Sequence, residues 1–84
     1  MPRARQLDPD AILFGQVLRR ERLARGWTIA AVAQRTGMNR QYLGVVENGG
    51  NVTTLKTILD VCEVIGADAG AMIREVAIAR RPKG

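Results

Sequence analysis

The stretch Thr28–Gly49, TIAAVAQRTGMNRQYLGVVENG, decides how the rest of the chain is read. Thr28 is placed to cap a helix running to about Arg35, because its hydroxyl can accept from the unpaired N–H groups of a first turn. Val32 and Ala33 then turn inward. Gly37 supplies the positive φ that a sharp reversal needs, and Asn39 is placed to cap a further helix reaching about Glu47. The stretch therefore reads as two short helices joined by a tight glycine turn.

Upstream, Asp8 is placed as an N-cap with Pro9 at the first helical position, where a missing N–H costs nothing. Phe14, Val17 and Leu18 recur at helical spacing as an inward stripe, Arg19, Arg20 and Arg25 decorate the rest, and Gly26 suits a left-handed C-terminal cap. Downstream, Asn48-Gly49-Gly50-Asn51 reads as an open polar loop before Thr53 or Thr54 caps a fourth helix. That helix carries Leu55, Ile58, Leu59, Val61, Cys62, Val64 and Ile65, too many apolar positions for one narrow stripe. Gly66 ends it, Asp68 caps a fifth helix, and Met72, Ile73 and Val76 continue the apolar surface, extended by Ala69 and Ile78. Either the fourth helix is buried by its own chain, or the last two helices form a contact between two copies. The second reading assigns Leu55, Val61, Val64, Ile65, Met72, Ile73 and Val76 to a dimer interface. The expected fold is thus all-α, with five helices and no strand.

Composition bounds what such a chain can do. The 84 residues fit one domain, and so small a core usually needs a disulfide, a metal or a partner chain. With one cysteine, Cys62, and no histidine, the chain cannot close a disulfide or supply a zinc site alone, which leaves oligomerisation. Trp27 and Met38 are expected in the core, and Cys62 is expected there as a small apolar residue. No signal-type or membrane-length apolar run is present, so the expected location is the reducing cytoplasm. Acid–base and triad chemistry lack a histidine, no glycine-rich phosphate loop precedes a lysine, and the carboxylates form no evident pair. Neither enzymatic activity nor a cofactor or metal is expected.

The net charge of +5 suggests an anionic partner, and its placement is informative. Arg3, Arg5, Arg80, Arg81 and Lys83 lie near the ends; without them, the remaining 8 of the 13 basic residues balance the 8 acidic ones. We therefore expect a basic arm over residues 1–7, a helical domain over 8–80 and a basic tail over 81–84. Such tails either solubilise the chain or add phosphate contacts.

The two helices and their glycine turn form a helix-turn-helix pattern, and Thr28–Gly49 resembles that of the phage-repressor/Cro (XRE-like) family. Ala33 matches the small residue where the helices cross, Gly37 the turn glycine, and Leu43 and Val46 the inner apolar face. Phe14-Gly15, Leu18-Arg19 through Arg22 and Gly26-Trp27-Thr28 resemble the family's first helix and turn. Asn51 through Gly66 resembles its fourth helix. Within the family, the Asn39-Arg40-Gln41-Tyr42-Leu43 segment and the one-domain size look most like the controller proteins of restriction–modification systems. The resemblance implies a lambda-repressor-like domain that binds double-stranded operator DNA as a homodimer on a palindrome, blocking or recruiting RNA polymerase according to promoter geometry. An antitoxin that binds a protein toxin and regulates its own operon is the alternative, against which stands the short segment after the fifth helix.

The resemblance also implies roles for single residues. Asn39, Arg40 and Gln41 occupy the start of the recognition helix, where side chains reach base edges. Arg40 suits guanine O6 and N7, and Gln41 suits adenine N6 and N7. Val45, one turn on, suits a thymine methyl or else an inter-helix contact. Thr28, Tyr42, Asn48 and Asn51 resemble positions that bond phosphates. Arg22 and Glu47 resemble a pair bridging the first helix to the end of the third. Ile29 departs from the family's glutamine, so one phosphate contact should be missing.

Overall fold

A computed structural model of the protein describes residues 8–81. Five helices follow one another: α1 (Pro9–Ala24), α2 (Ile29–Thr36), α3 (Arg40–Glu47), α4 (Leu55–Ile65) and α5 (Ala69–Ala79). No strand occurs among the described residues.

Each helix opens on a side chain that accepts from the orphan N–H groups of its first turn. Asp8 accepts from the N–H groups of Asp10 and Ala11, Thr28 from Ala31, Thr54 from Thr57 and Asp68 from Ala71. Thr54, rather than Thr53, caps α4. Gly37 and Gly66 close α2 and α4 in the left-handed conformation, at φ 77° and 79°, where a side chain would be strained.

The core draws on all five helices: Phe14, Val17 and Leu18 from α1, Val32 and Ala33 from α2, Leu43 and Val46 from α3, Val61, Cys62 and Ile65 from α4, and Met72 and Val76 from α5. Trp27 and Met38 are half-buried at its margin, with the Arg35 guanidinium 5.4 Å from the centre of the Trp27 ring. The Cys62 sulfur lies 3.5 Å from that of Met72, and burial pushes its thiol pKa up, away from the reactive thiolate.

The fourth helix is therefore buried largely by its own chain. Of the side chains expected at a contact between copies, Val61, Ile65, Met72 and Val76 are closed into this core, and Val64 is half-buried against it. Their helices have α1 and α2 as packing partners within the same chain, which is what one stripe per helix requires. Leu55 and Ile73 stay exposed, as do Leu59 and Ile78.

Ion pairs fasten α5 across α1. Arg20 donates to both carboxylate oxygens of Glu75, at 2.6 and 2.8 Å, and also binds Glu21, which pairs with Arg25. Arg80 donates from Nε to Asp10 at 2.8 Å, so it serves the end of α5 rather than a basic tail. Arg3, Arg5 and Lys83 lie outside the described residues. The Arg20 guanidinium holds the Glu75 carboxyl below its ordinary value of 4.5, and Arg20 and then Arg25 do the same for Glu21. Folded values lower than unfolded ones mean that this contribution is complete above pH 4.5 and is lost as the pH falls through the depressed values.

α1 meets α3 almost backbone to backbone. A Cβ on Gly15 would lie 2.5 Å from the carbonyl oxygens of Val46 and Glu47, so only glycine admits this approach. Exposed helix interiors gain about 1 kcal/mol when glycine becomes alanine, and here the sign should reverse. Gly15→Ala is expected to lower Tm by on the order of 5–15 °C in a circular-dichroism melt, with α3 pushed outward; an unchanged or raised Tm would show that the two helices separate at no cost.

Candidate nucleic-acid interface

The two ends of α3 are held very differently. At its C-terminal end, Arg22 donates from Nε to Glu47 Oε2 at 2.6 Å and from Nη2 to Oε1 at 3.0 Å, in the parallel fork that a guanidinium offers a carboxylate. Its Nη1 donates to the Trp27 carbonyl at 2.6 Å. Both charged residues are only 7 % exposed. One buried arginine thus ties the last turn of α1, the α1–α2 turn and the end of α3 together, with Gly15 in contact one layer below.

At the N-terminal end, Asn39, Arg40 and Gln41 are exposed. Together with Ile29, the first residue of α2, they line one open depression where the starts of α2 and α3 meet. The side chains of Arg40 and Gln41 make no hydrogen bond to another described residue. Asn39 is different: its Oδ1 accepts from the N–H groups of Gln41, at 2.7 Å, and Tyr42, at 3.3 Å. That oxygen is committed to the cap, and the amide nitrogen alone remains to donate outward. Val45, one turn on, is 43 % exposed and also faces the backbone of Gly50, so it combines surface and contact roles.

Thr28 is exposed and accepts from Ala31, which leaves its hydroxyl proton available. Asn48 and Asn51 are exposed at the far end of α3 and in the loop after it. Tyr42 is half-buried, and its hydroxyl lies 3.2 Å from both Thr53 Oγ1 and Thr57 Oγ1, while Thr54 donates to Thr57 at 3.1 Å. This hydroxyl cluster links α3 to the first turn of α4. Sequence reasoning missed Thr53 and Thr57 as its partners; three threonines spaced around one helix start were the available signal.

No group of side chains suited to hold a metal occurs among the described residues, and no helix there is long and apolar enough to cross a membrane. Residues 13–76 match the family model described as a helix-turn-helix domain. Among solved structures, the chain is similar to the restriction-modification controller protein C.AhdI from Aeromonas hydrophila, at 31% identity and TM-score 0.73 over 77% of this chain and 98% of that one. It is also similar to the clp gene regulator ClgR from Corynebacterium glutamicum, at 24% identity and TM-score 0.77 over 83% of this chain and 74% of that one. A third likeness is to a helix-turn-helix family transcriptional regulator from Vibrio cholerae, at 24% identity and TM-score 0.71 over 81% of this chain and 39% of that longer one. Comparison with curated protein sequences gives no match.

Removing one partner from a buried ion pair strands the other charge. Arg22→Ala and Glu47→Ala are each expected to cost ~3–5 kcal/mol in urea unfolding, whereas Arg22→Met combined with Glu47→Leu should recover much of that loss. If the double substitution were as damaging as the two single losses added, the pair would not act as a unit.

Proposed function

The chain belongs to the XRE-like helix-turn-helix domain family, and on that footing we propose that it is a cytoplasmic transcriptional regulator, without catalytic activity, that binds a palindromic operator in double-stranded DNA as a homodimer. The observation that carries this reading is the asymmetry of α3: its C-terminal end is fixed by a buried ion pair, and its N-terminal end presents the unengaged side chains of Arg40 and Gln41. A rigidly held helix with polar side chains at its exposed start is what reading a major groove requires.

Arg40 pairs with guanine O6 and N7, and Gln41 with adenine N6 and N7. Asn39 donates a single hydrogen bond, and Val45 touches a methyl group. Thr28, Asn48 and Asn51 bond phosphates on either side, and Tyr42 contributes from its threonine cluster. Arg3, Arg5, Arg81 and Lys83 add salt-sensitive phosphate contacts. The homodimer rests on Leu55 and Ile73, with Leu59 and Ile78, apolar side chains that the single chain leaves exposed. Two recognition helices then enter successive major grooves ~34 Å apart. The 31% identity to a restriction-modification controller protein supports the same role here, with the bound dimer recruiting or blocking RNA polymerase at a promoter shared with a restriction gene.

Selection from random duplexes is expected to return a palindrome bound by two chains, with affinity falling steeply as salt rises. Arg40→Ala should relax one base position in each half-site, where the discrimination of ~1–3 kcal/mol disappears while helicity is kept. Binding that is weak and indifferent to sequence in the native chain would overturn the regulator reading; unchanged base preference in the variant would remove Arg40 from the reading surface.

A further inference from the structure

One side chain in the depression at the start of α3 is out of character with its neighbours. Ile29 lines it together with Asn39, Arg40 and Gln41, and part of its surface packs against the core. The helix does not need isoleucine there. Ile29 is the first residue of α2, whose cap is supplied by Thr28, and β-branched residues have no advantage at such a position.

The chemistry of the depression is ordered. The Asn39 oxygen is taken by the backbone, so Asn39 offers a donor only. A donor and a hydrocarbon surface in one concavity match the order of groups on thymine, which presents the O4 acceptor beside the C5-methyl in the major groove. Cytosine presents an amino donor at that place and no methyl, and meets both elements unfavourably.

We infer that Ile29 is a specificity-determining residue, whose half-buried hydrocarbon, where it lines the depression, covers the 5-methyl group of one thymine in each half-site. This rests on the reading of α3 as the recognition helix. It adds a base contact from α2, an element otherwise assigned to packing and phosphates.

The test removes the methyl from the DNA and the hydrocarbon from the protein separately. Using the full chain and its selected operator, each thymine is replaced in turn by uracil, which keeps O4 and loses only the methyl group. In the native protein one thymine in each half-site should lose ~3–5-fold in affinity on this replacement, the value of one buried methyl. With Ile29→Ala, uracil and thymine at that position should bind equally. The comparison is made within one protein preparation, so a loss of folded fraction cancels, and Ile29→Val should give an intermediate preference. If the uracil penalties are the same in the native and Ile29→Ala proteins at every position, the inference is overturned and the regulator reading stands. If selection yields no operator, both fall together.

Discussion

The buried fork between Arg22 and Glu47 is the constraint on which the arrangement of this protein depends. Taking two charges out of water costs several kcal/mol each, and mutual attraction offsets that only when geometry and secondary hydrogen bonds are good. Here the two parallel bonds are 2.6 and 3.0 Å long, and the remaining guanidinium nitrogen reaches the Trp27 carbonyl. Among the described residues no buried side-chain nitrogen or oxygen lacks a partner. A hydrophobic pair of similar volume is often as stabilising as a buried ion pair, so the geometry of the fork is no measure of its net stability. Gly15 adds the distance: with no Cβ it lets α1 rest on the terminal carbonyls of α3, close enough for the fork to close.

With its C-terminal end so fixed, α3 carries its exposed polar side chains at its start. Capping then edits that surface. Asn39 is both an end-of-helix device and a surface residue, and it cannot do both with the same oxygen. The Tyr42 hydroxyl is occupied in a similar way by Thr53 and Thr57, which brace α3 against α4. Polar atoms committed to local stability in this way are not free to bind a partner. Arg40 and Gln41, one and two residues past the cap, are the side chains left out of that commitment.

Where the helices begin and end was legible in the sequence, because Asp8, Thr28, Asn39 and Asp68 act on N–H groups two or three residues away, and Gly37 and Gly66 act through their own φ. The Arg22–Glu47 pair came from the family resemblance, since nothing local relates residues so far apart. What could not be read was which apolar residues the chain would use itself. Val61 and Leu55 look alike in sequence, yet one is 2% exposed and the other 70%, a difference set by the contacts of α4 with α2 and α5. The union of Asp10 with Arg80 was equally hidden, because two distant helix termini must meet before a charge counted as tail becomes a fastening.

That reassignment alters how the charge of the protein should be understood. Arg20, Arg22, Arg25, Lys56 and Arg80 all have carboxylate partners within the chain, and Asp8 and Asp68 are engaged at helix starts. The net charge of +5 therefore resides in the cations outside these pairs. Arg40 is the only cation on α3, and it has no acidic partner among the described residues. Every internal ion pair would otherwise have to be broken to gain a phosphate contact, exchanging one charge-assisted bond for another with little net gain. Under the proposed function, attraction to the backbone would fall instead to the cations without such partners, and discrimination to the few unengaged groups at the start of α3. Sequence preference would then be set by side chains whose desolvation is compensated only by the matching base, which is the condition for a small surface to be selective.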